Sequence, residues 1–157
     1  MILRRRSQQS GFIDSALYDQ NTFYSEFLRS VSSCRQELII ESPFITSKRM
    51  AALLPTLQKL RKRNVTIVVN TRNPEEHEGI YQDQAANAVA DMQALGIKVL
   101  YTAGHHRKVA IIDRTILWEG SLNILSYNNS YEIMRKMISS VLAEQTMRFI
   151  GLDQYLA

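Results

Sequence analysis

Residues 105–123 read HHRKVAIIDRTILWEGSLN. The runs KVAIID and TILWEG have the β-branched and aromatic content of buried strands, and they are joined at Arg114-Thr115, so the stretch predicts a β-hairpin. Its polar residues sit at the open ends: His105, His106 and Lys108 on entry, Ser121 and Asn123 on exit. Strand side chains alternate, so His106 and Lys108 share a face, as do Ser121 and Asn123. An even-numbered loop sets Asp113 opposite Ile116, which pairs Lys108 with Ser121 and His106 with Asn123. An odd-numbered loop shifts the pairing by one residue and sends the two pairs to opposite faces. Arg-Thr is not a favoured two-residue turn, so a four-residue loop in the same register is an equal alternative.

Four polar side chains gathered on a packed sheet are costly unless they face a ligand. The set contains a nitrogen nucleophile or base (His106), a cation (Lys108) and two neutral hydrogen-bonding groups (Ser121, Asn123). A transferring phosphoryl group calls for such parts: a nitrogen to attack phosphorus, and donors on the oxygens where negative charge redistributes. Asp113 falls on the other parity at the hairpin tip, where it organises the turn.

The hairpin belongs to an alternating chain. Residues 21–34 place Phe23, Phe27, Leu28 and Val31 at helical spacing behind Asn-Thr. ELIIES follows as a short strand. Residues 47–64 have a helical pattern that Pro55 must kink or divide. VTIVVNT, residues 65–71, is an unbroken β-branched run suited to a central strand. A polar loop, RNPEEHEG, then leads to a helix closed by Gly96 and to the strand IKVLY. Met134 and Met137 are expected to pack in a last strand, and residues 142–156 to form a helix with Leu142, Met147, Phe149 and Ile150 partly buried. The expected fold is α/β, with a mixed, largely parallel sheet flanked by helices. Ligands of such sheets bind beyond the carboxyl ends of the strands, so the loops at Ser42-Pro43-Phe44, Asn70-Thr71-Arg72 and residues 102–106 are expected to meet on one rim.

Length and charge narrow the classes. The 157 residues suit one domain spanning 1–157, with 1–20 an extended N-terminal segment. The net charge of +4 comes from 19 basic and 15 acidic residues, a mild bias toward polyanions. Its clusters are Arg4-Arg5-Arg6, KLRKR at residues 59–63, where cations complement a helix C-terminus, and Arg107, Lys108 and Arg114 in the hairpin. No apolar run reaches the ~18 residues of a membrane span and no secretory signal opens the chain, so no membrane insertion and a cytoplasmic location are expected. Cys34 is the single cysteine, which excludes an intrachain disulfide; it is expected to be a reduced, buried helix residue.

The pattern His106-x-Lys108-x4-Asp113-x6-Gly120-Ser121-x-Asn123 resembles the HKD signature of the phospholipase D superfamily, and the chain has about the length of that family's single-motif nucleases. The resemblance implies a phospholipase D-like fold and hydrolysis through a phosphohistidine intermediate, with no metal and no cofactor. His106 would be the motif histidine, Lys108 and Asn123 phosphate ligands, and Ser121 a weaker one. Glu132 would be the carboxylate that orients the histidine. Asp113 completes the motif. Arg72 and Arg107 are candidates for phosphodiester contacts.

Other polar residues have plainer readings. His105 points away from His106 by parity and is assigned to packing or a backbone contact. His77, among Glu75, Glu76 and Glu78, is read as part of a solvated loop rather than a metal site. Trp118 is core packing. One motif supplies one histidine, whereas nucleophile and general acid cannot be the same imidazole at once. A two-fold homodimer resolves this by bringing equivalent residues face to face. The leading expectation is a nuclease cleaving DNA or RNA. The alternatives are a non-hydrolytic nucleic-acid-binding and dimerisation module of a larger protein, of which this chain would be a fragment, and a phospholipase.

Overall fold

The computed structural model describes residues 12–127 and 129–156, so Arg4-Arg5-Arg6 lies outside the described residues. Chain order is β1 (Phe12–Asp19), α1 (Phe23–Ser32), β2 (Glu37–Glu41), α2 (Ser47–Lys62), β3 (Thr66–Thr71), α3 (Ile80–Ala94), β4 (Lys98–Tyr101), β5 (Val109–Ile112), β6 (Ile116–Gly120), β7 (Ile133–Ser139) and α4 (Ser140–Ile150). Short 3-10 turns occupy Pro74–Glu76 and Asp153–Tyr155. The seven strands form one sheet in the order β1-β7-β6-β5-β2-β3-β4.

The sheet is mixed, as expected, but not largely parallel. Only β2-β3 and β3-β4 run parallel; β2-β5, β5-β6, β6-β7 and β1-β7 are antiparallel. The parallel half is where helices α2 and α3 cross between strands. Beyond β4 the loop 102–108 returns the chain directly to the other side of β2, and a direct return can only pair antiparallel.

Alternation along the strands builds a core on each face. Leu38, Ile40, Ile67, Val69, Ala110, Ile112 and Trp118 face α1, α2 and α3, packing with Phe23, Phe27, Leu53, Leu57, Ala88 and Met92. Ile39, Val68, Val109, Ile111, Leu117 and Met137 face α4, packing with Ala143 and Met147. Trp118 is fully buried, its ring 5.3 Å from Phe23 edge-on and 5.2 Å from Tyr18. Met134 and Met137 are buried in β7 as the spacing predicts.

Four local readings are refined. Residues 12–19, assigned to an extended segment, form edge strand β1 along β7. Pro55 neither divides nor ends α2. Pro55 and Ala51 both lie on the solvent side, so the carbonyl deprived of its N–H partner is at the hydrated face. The last helix stops at Ile150, because Gly151 adopts a left-handed conformation at φ 71° and its N–H caps the Met147 carbonyl. Within α4 the inward stripe is Ala143, Met147 and Ile150, so Phe149, two residues from Met147, is on the outer face, 83% exposed rather than partly buried. Cys34 is buried, but just past the end of α1.

Candidate active site at the mouth of the hairpin

The β5-β6 pairing is Val109↔Glu119, Ala110↔Trp118, Ile111↔Leu117 and Ile112↔Ile116. The loop is therefore the three residues 113–115, and the register differs by one from the even-numbered reading. Asp113 and Arg114 both have positive φ, 51° and 53°, as in a type I′ turn, with Thr115 as the extra residue. Neither Lys108↔Ser121 nor His106↔Asn123 exists as a ladder pair. The strands end at Val109 and Gly120, so the motif residues beyond them escape strict alternation and three still meet. A groove of about 750 Å³ between the hairpin mouth and α4 is lined by His106, Lys108, Glu119 and Ser121 of the hairpin, with Phe149 and Ile150 of α4 opposite.

His106 is exposed to solvent whereas Lys108 is buried at 9% exposure. Lys108 Nζ lies 2.7 Å from His106 Nδ1 and donates to the His106 carbonyl at 2.7 Å. Burial pulls the Lys108 ammonium below its ordinary pKa; Glu132 opposes that shift and Arg72 adds to it. A charged lysine can only donate, so its contact with the ring requires an unprotonated Nδ1 and leaves the ring proton on Nε2.

Ser121 is held rather than free. Its hydroxyl donates to Glu132 and accepts from the Ile133 N–H at 3.0 Å, while its own N–H bonds the Ile133 carbonyl at 2.9 Å. Glu132 also accepts from Ser130 at 2.7 Å. Glu132 thus binds Ser121 and Ser130, and its bond to the imidazole expected from the resemblance is not made here. Asn123 is outside the groove lining, with a buried Oδ1 that has no hydrogen-bond partner. Gly120 has a steric reason: a Cβ there would sit 2.1 Å from the Ile133 carbonyl oxygen, so β7 can approach only a glycine.

Asp113 lies at the opposite end of β5 from His106 and touches nothing in the groove. Its carboxylate accepts the backbone N–H groups of Arg35, Gln36 and Glu37 at 2.9, 2.8 and 3.0 Å, and the Cys34 thiol at 3.5 Å. Those bonds hold its pKa down although burial works the other way. Burial first, then Asp113, pushes the Cys34 thiol up to about 12, so Cys34 stays a packed thiol.

The two rim arginines have protein partners. Arg107 donates through Nε and Nη2, each at 2.8 Å, to Glu41, a carboxylate with no exposure at the end of β2. Arg72 donates through Nε to the His105 carbonyl at 2.7 Å and stacks 5.2 Å from Phe44. Arg107 keeps 43% of its side chain exposed and lines the groove. The expected convergence of loops is seen here: Asn70 donates to Glu41 at 3.1 Å, Thr102 to Asn70 at 3.0 Å, and Thr71 to the Pro43 carbonyl at 3.5 Å. His105 is buried behind this network, its pKa lowered chiefly by burial. His77 packs its ring 5.0 Å from Phe44 instead of standing in solvent. Glu41 is the residue that sequence reasoning passed over; the available signal was a lone carboxylate closing an apolar strand.

A family model for the cardiolipin synthase PLD-like domain matches residues 27–150. Among solved structures the chain is similar to Nuc from Salmonella typhimurium, a phospholipase D family member, with 17% identity, a TM-score of 0.69 and coverage of 91% of this chain and 96% of that one. It is similar to NucT from Helicobacter pylori, with 18% identity, a TM-score of 0.68 and coverage of 91% and 96%. TrmBL2, an archaeal chromatin protein with a novel mode of DNA binding, aligns at 7% identity and a TM-score of 0.64, over 88% of this chain and 51% of that one. No curated protein sequence matches the chain. With the family model covering most of the chain and the same fold in Nuc and NucT, the chain belongs to the phospholipase D superfamily.

Proposed function

We propose that the protein is a metal-independent phosphodiesterase that cleaves nucleic acid through a covalent intermediate on His106, in an active site shared by two copies of the chain. The observation that carries this reading is the exposed His106 imidazole with the buried Lys108 ammonium on its Nδ1, in a groove that also holds Ser121. Attack uses the lone pair of Nε2: the N–P bond forms, the P–O bond to the leaving group breaks, and the leaving oxygen takes a proton. Water then attacks the phosphohistidine, giving up a proton to a base as the N–P bond breaks. Lys108 supplies charge on the phosphoryl oxygens in place of a Lewis acid.

The tautomer explains why two copies are needed. With Lys108 on Nδ1, the ring carries its proton on Nε2 and has no lone pair there to attack with; it acts as the acid only as the imidazolium, after a second proton on Nδ1 displaces the Lys108 contact. The attacking ring needs the reverse form, with Nδ1 protonated and Nε2 free. One His106 as the imidazolium and one with Nε2 free, across a two-fold axis, supply both acid and nucleophile.

Binding without hydrolysis is the second reading, favoured by the use of the same fold in a DNA-binding chromatin protein. Incubation with labelled DNA, RNA and phosphatidylcholine vesicles in EDTA separates the classes. Cleavage of nucleic acid alone, lost in His106→Ala with binding kept, is expected. Activity lost in EDTA and restored by magnesium would refute the mechanism, and binding with no turnover under any condition would favour the second reading.

A further inference from the structure

Beside the proposed catalytic groove lies a second cavity of about 570 Å³, walled by Gln20, Tyr24, Arg49, Tyr127 and Tyr131 together with two asparagines. No acidic side chain lines it. Arg49, in the first turn of α2, is buried at 8% exposure and, among the described residues, forms no ion pair. Its Nε has no hydrogen-bond partner, and neither does the buried Tyr24 hydroxyl. The guanidinium instead lies 3.7 Å from the centre of the Tyr24 ring and 5.6 Å from that of Tyr127, with Lys48 Nζ 3.8 Å from the other. Burial works against its charge.

An unpaired buried guanidinium is retained at a cost unless something supplies the opposite charge. Aromatic faces offset part of that cost, about 0.5–2 kcal/mol for a cation on a ring, but they leave the buried Nε–H without an acceptor. The missing partner is an anion with acceptor oxygens. The exposed walls add a second requirement, because Tyr131 is 96% and Tyr127 43% exposed. Tyr131 is a flat π surface open to a planar group, whereas the Tyr127 ring already carries Lys48 Nζ 3.8 Å from its centre.

We infer that this cavity is a nucleotide subsite, which takes one phosphate of a single-stranded nucleic acid on Arg49 and stacks the adjoining base on Tyr131. This inference rests on the nuclease reading and deepens it by naming the substrate form. The cavity connects to the groove through one short segment: Tyr131 precedes Glu132, whose N–H donates to Gln20 at 3.0 Å and whose carboxylate holds Ser121. On this proposal the nucleotide next to the one bound at His106 lies on the Tyr131 side of this segment. Splayed bases on aromatic side chains belong to single strands, since paired bases are stacked on each other.

The test uses the full chain in a His106→Ala background, titrated with a fluorescein-labelled thymidine pentanucleotide in EDTA. Cleavage by the wild-type protein is followed alongside. Tyr131→Ala should weaken binding about tenfold while Tyr131→Phe, which keeps the ring, binds as its parent does. Arg49→Gln should flatten the dependence of log Kd on log salt by about 0.7, the loss of one phosphate contact on a single strand. Equal affinities for the two Tyr131 variants, or an unchanged salt slope, would overturn the subsite even if the wild type cleaves. A Tyr131 effect on binding with no cleavage by the wild type would leave the subsite standing and remove the nuclease reading. Arg49-dependent capture of phosphatidylglycerol vesicles with no binding of the pentanucleotide would assign the cavity to a lipid surface and overturn both.

Discussion

Replacing Asp113 by asparagine separates the fold from the chemistry in the motif. Asparagine is nearly isosteric and tolerates the positive φ of 51° at this position, so the backbone is not strained. The Oδ1 atom keeps its bonds from Gln36, Glu37 and Cys34, but an amide NH2 at the other position faces the Arg35 N–H, donor against donor. Charge-assisted bonds contribute about 1.5–3 kcal/mol each. One is lost outright and three, the Cys34 thiol's being the weakest, lose the anionic acceptor, while partial exposure of the site screens the remainder. A net loss of about 2 kcal/mol follows, or roughly 4–8 °C in Tm for a chain of this size. The native bonds hold the Asp113 pKa below its unfolded value, so its contribution is fully present above about pH 5. It is lost as pH falls through the depressed folded pKa, where the two proteins should converge in stability. Urea denaturation at pH 7 and toward pH 3, with cleavage measured on the folded fraction, checks both halves. Equal stability at pH 7, or a large fall in turnover per folded molecule, would refute the assignment of Asp113 to the fold.

Three further outcomes are expected. Gly120→Ala should strongly destabilise the protein, because its Cβ meets backbone at 2.1 Å rather than a movable side chain; a Tm within a degree of wild type would show that β7 can yield. The kcat/KM of the wild type should fall on the alkaline side below about pH 10.4, the ordinary lysine value, as the Lys108 ammonium deprotonates early. That limb should vanish from whatever activity Lys108→Arg retains, since guanidinium does not titrate there; persistence of the same limb would assign it elsewhere. Finally, purified mixed dimers of wild-type and His106→Ala chains should be inactive, and after full exchange at equal concentration activity per wild-type chain should fall by about half; a mixed dimer with half the wild-type rate would place a complete site in one chain.

The parts of the fold that could be read in the sequence were those with one strong periodic signal. VTIVVNT is buried along nearly its whole length in β3, and the spacing of Phe23, Phe27 and Val31 puts all three in the core. The parts that could not be read lacked a local signature. FIDSALYD becomes a strand because β7 offers it an edge, a tertiary cause that its own alternation does not announce. The hairpin register depended on Asp113 and Arg114 adopting positive φ, and arginine carries no such preference. Phe149 follows Met147 by two residues, which puts it on the far side of α4 from the stripe of Ala143, Met147 and Ile150 that meets the sheet. At the site, residue types were legible and partners were not. Nothing in the spacing of Glu41, Arg107 and Asn70 shows that three strands apart in sequence end beside one another, and the arginine expected on substrate proves to be bound to a buried carboxylate.

The division of labour within the motif explains why one stretch carries both a β-core and reactive groups. Its apolar residues fill both faces of the sheet and fix β5 and β6 at its centre. Asp113 fastens the closed end of that hairpin to the chain leaving α1, while Gly120 lets β7 come against the open end. Because β7 is so close, its first residues can hold Ser121 through Glu132 and the Ile133 backbone. On the other strand, Glu41 grips Arg107 between His106 and Lys108. The open end is thus clamped from β2 on one side and β7 on the other, while the His106 imidazole, whose partner among the described residues is Lys108, remains exposed. The proposed mechanism, in which this side chain changes protonation and meets its counterpart in a second copy, calls for that freedom, and a rigid frame around it confines the freedom to the ring.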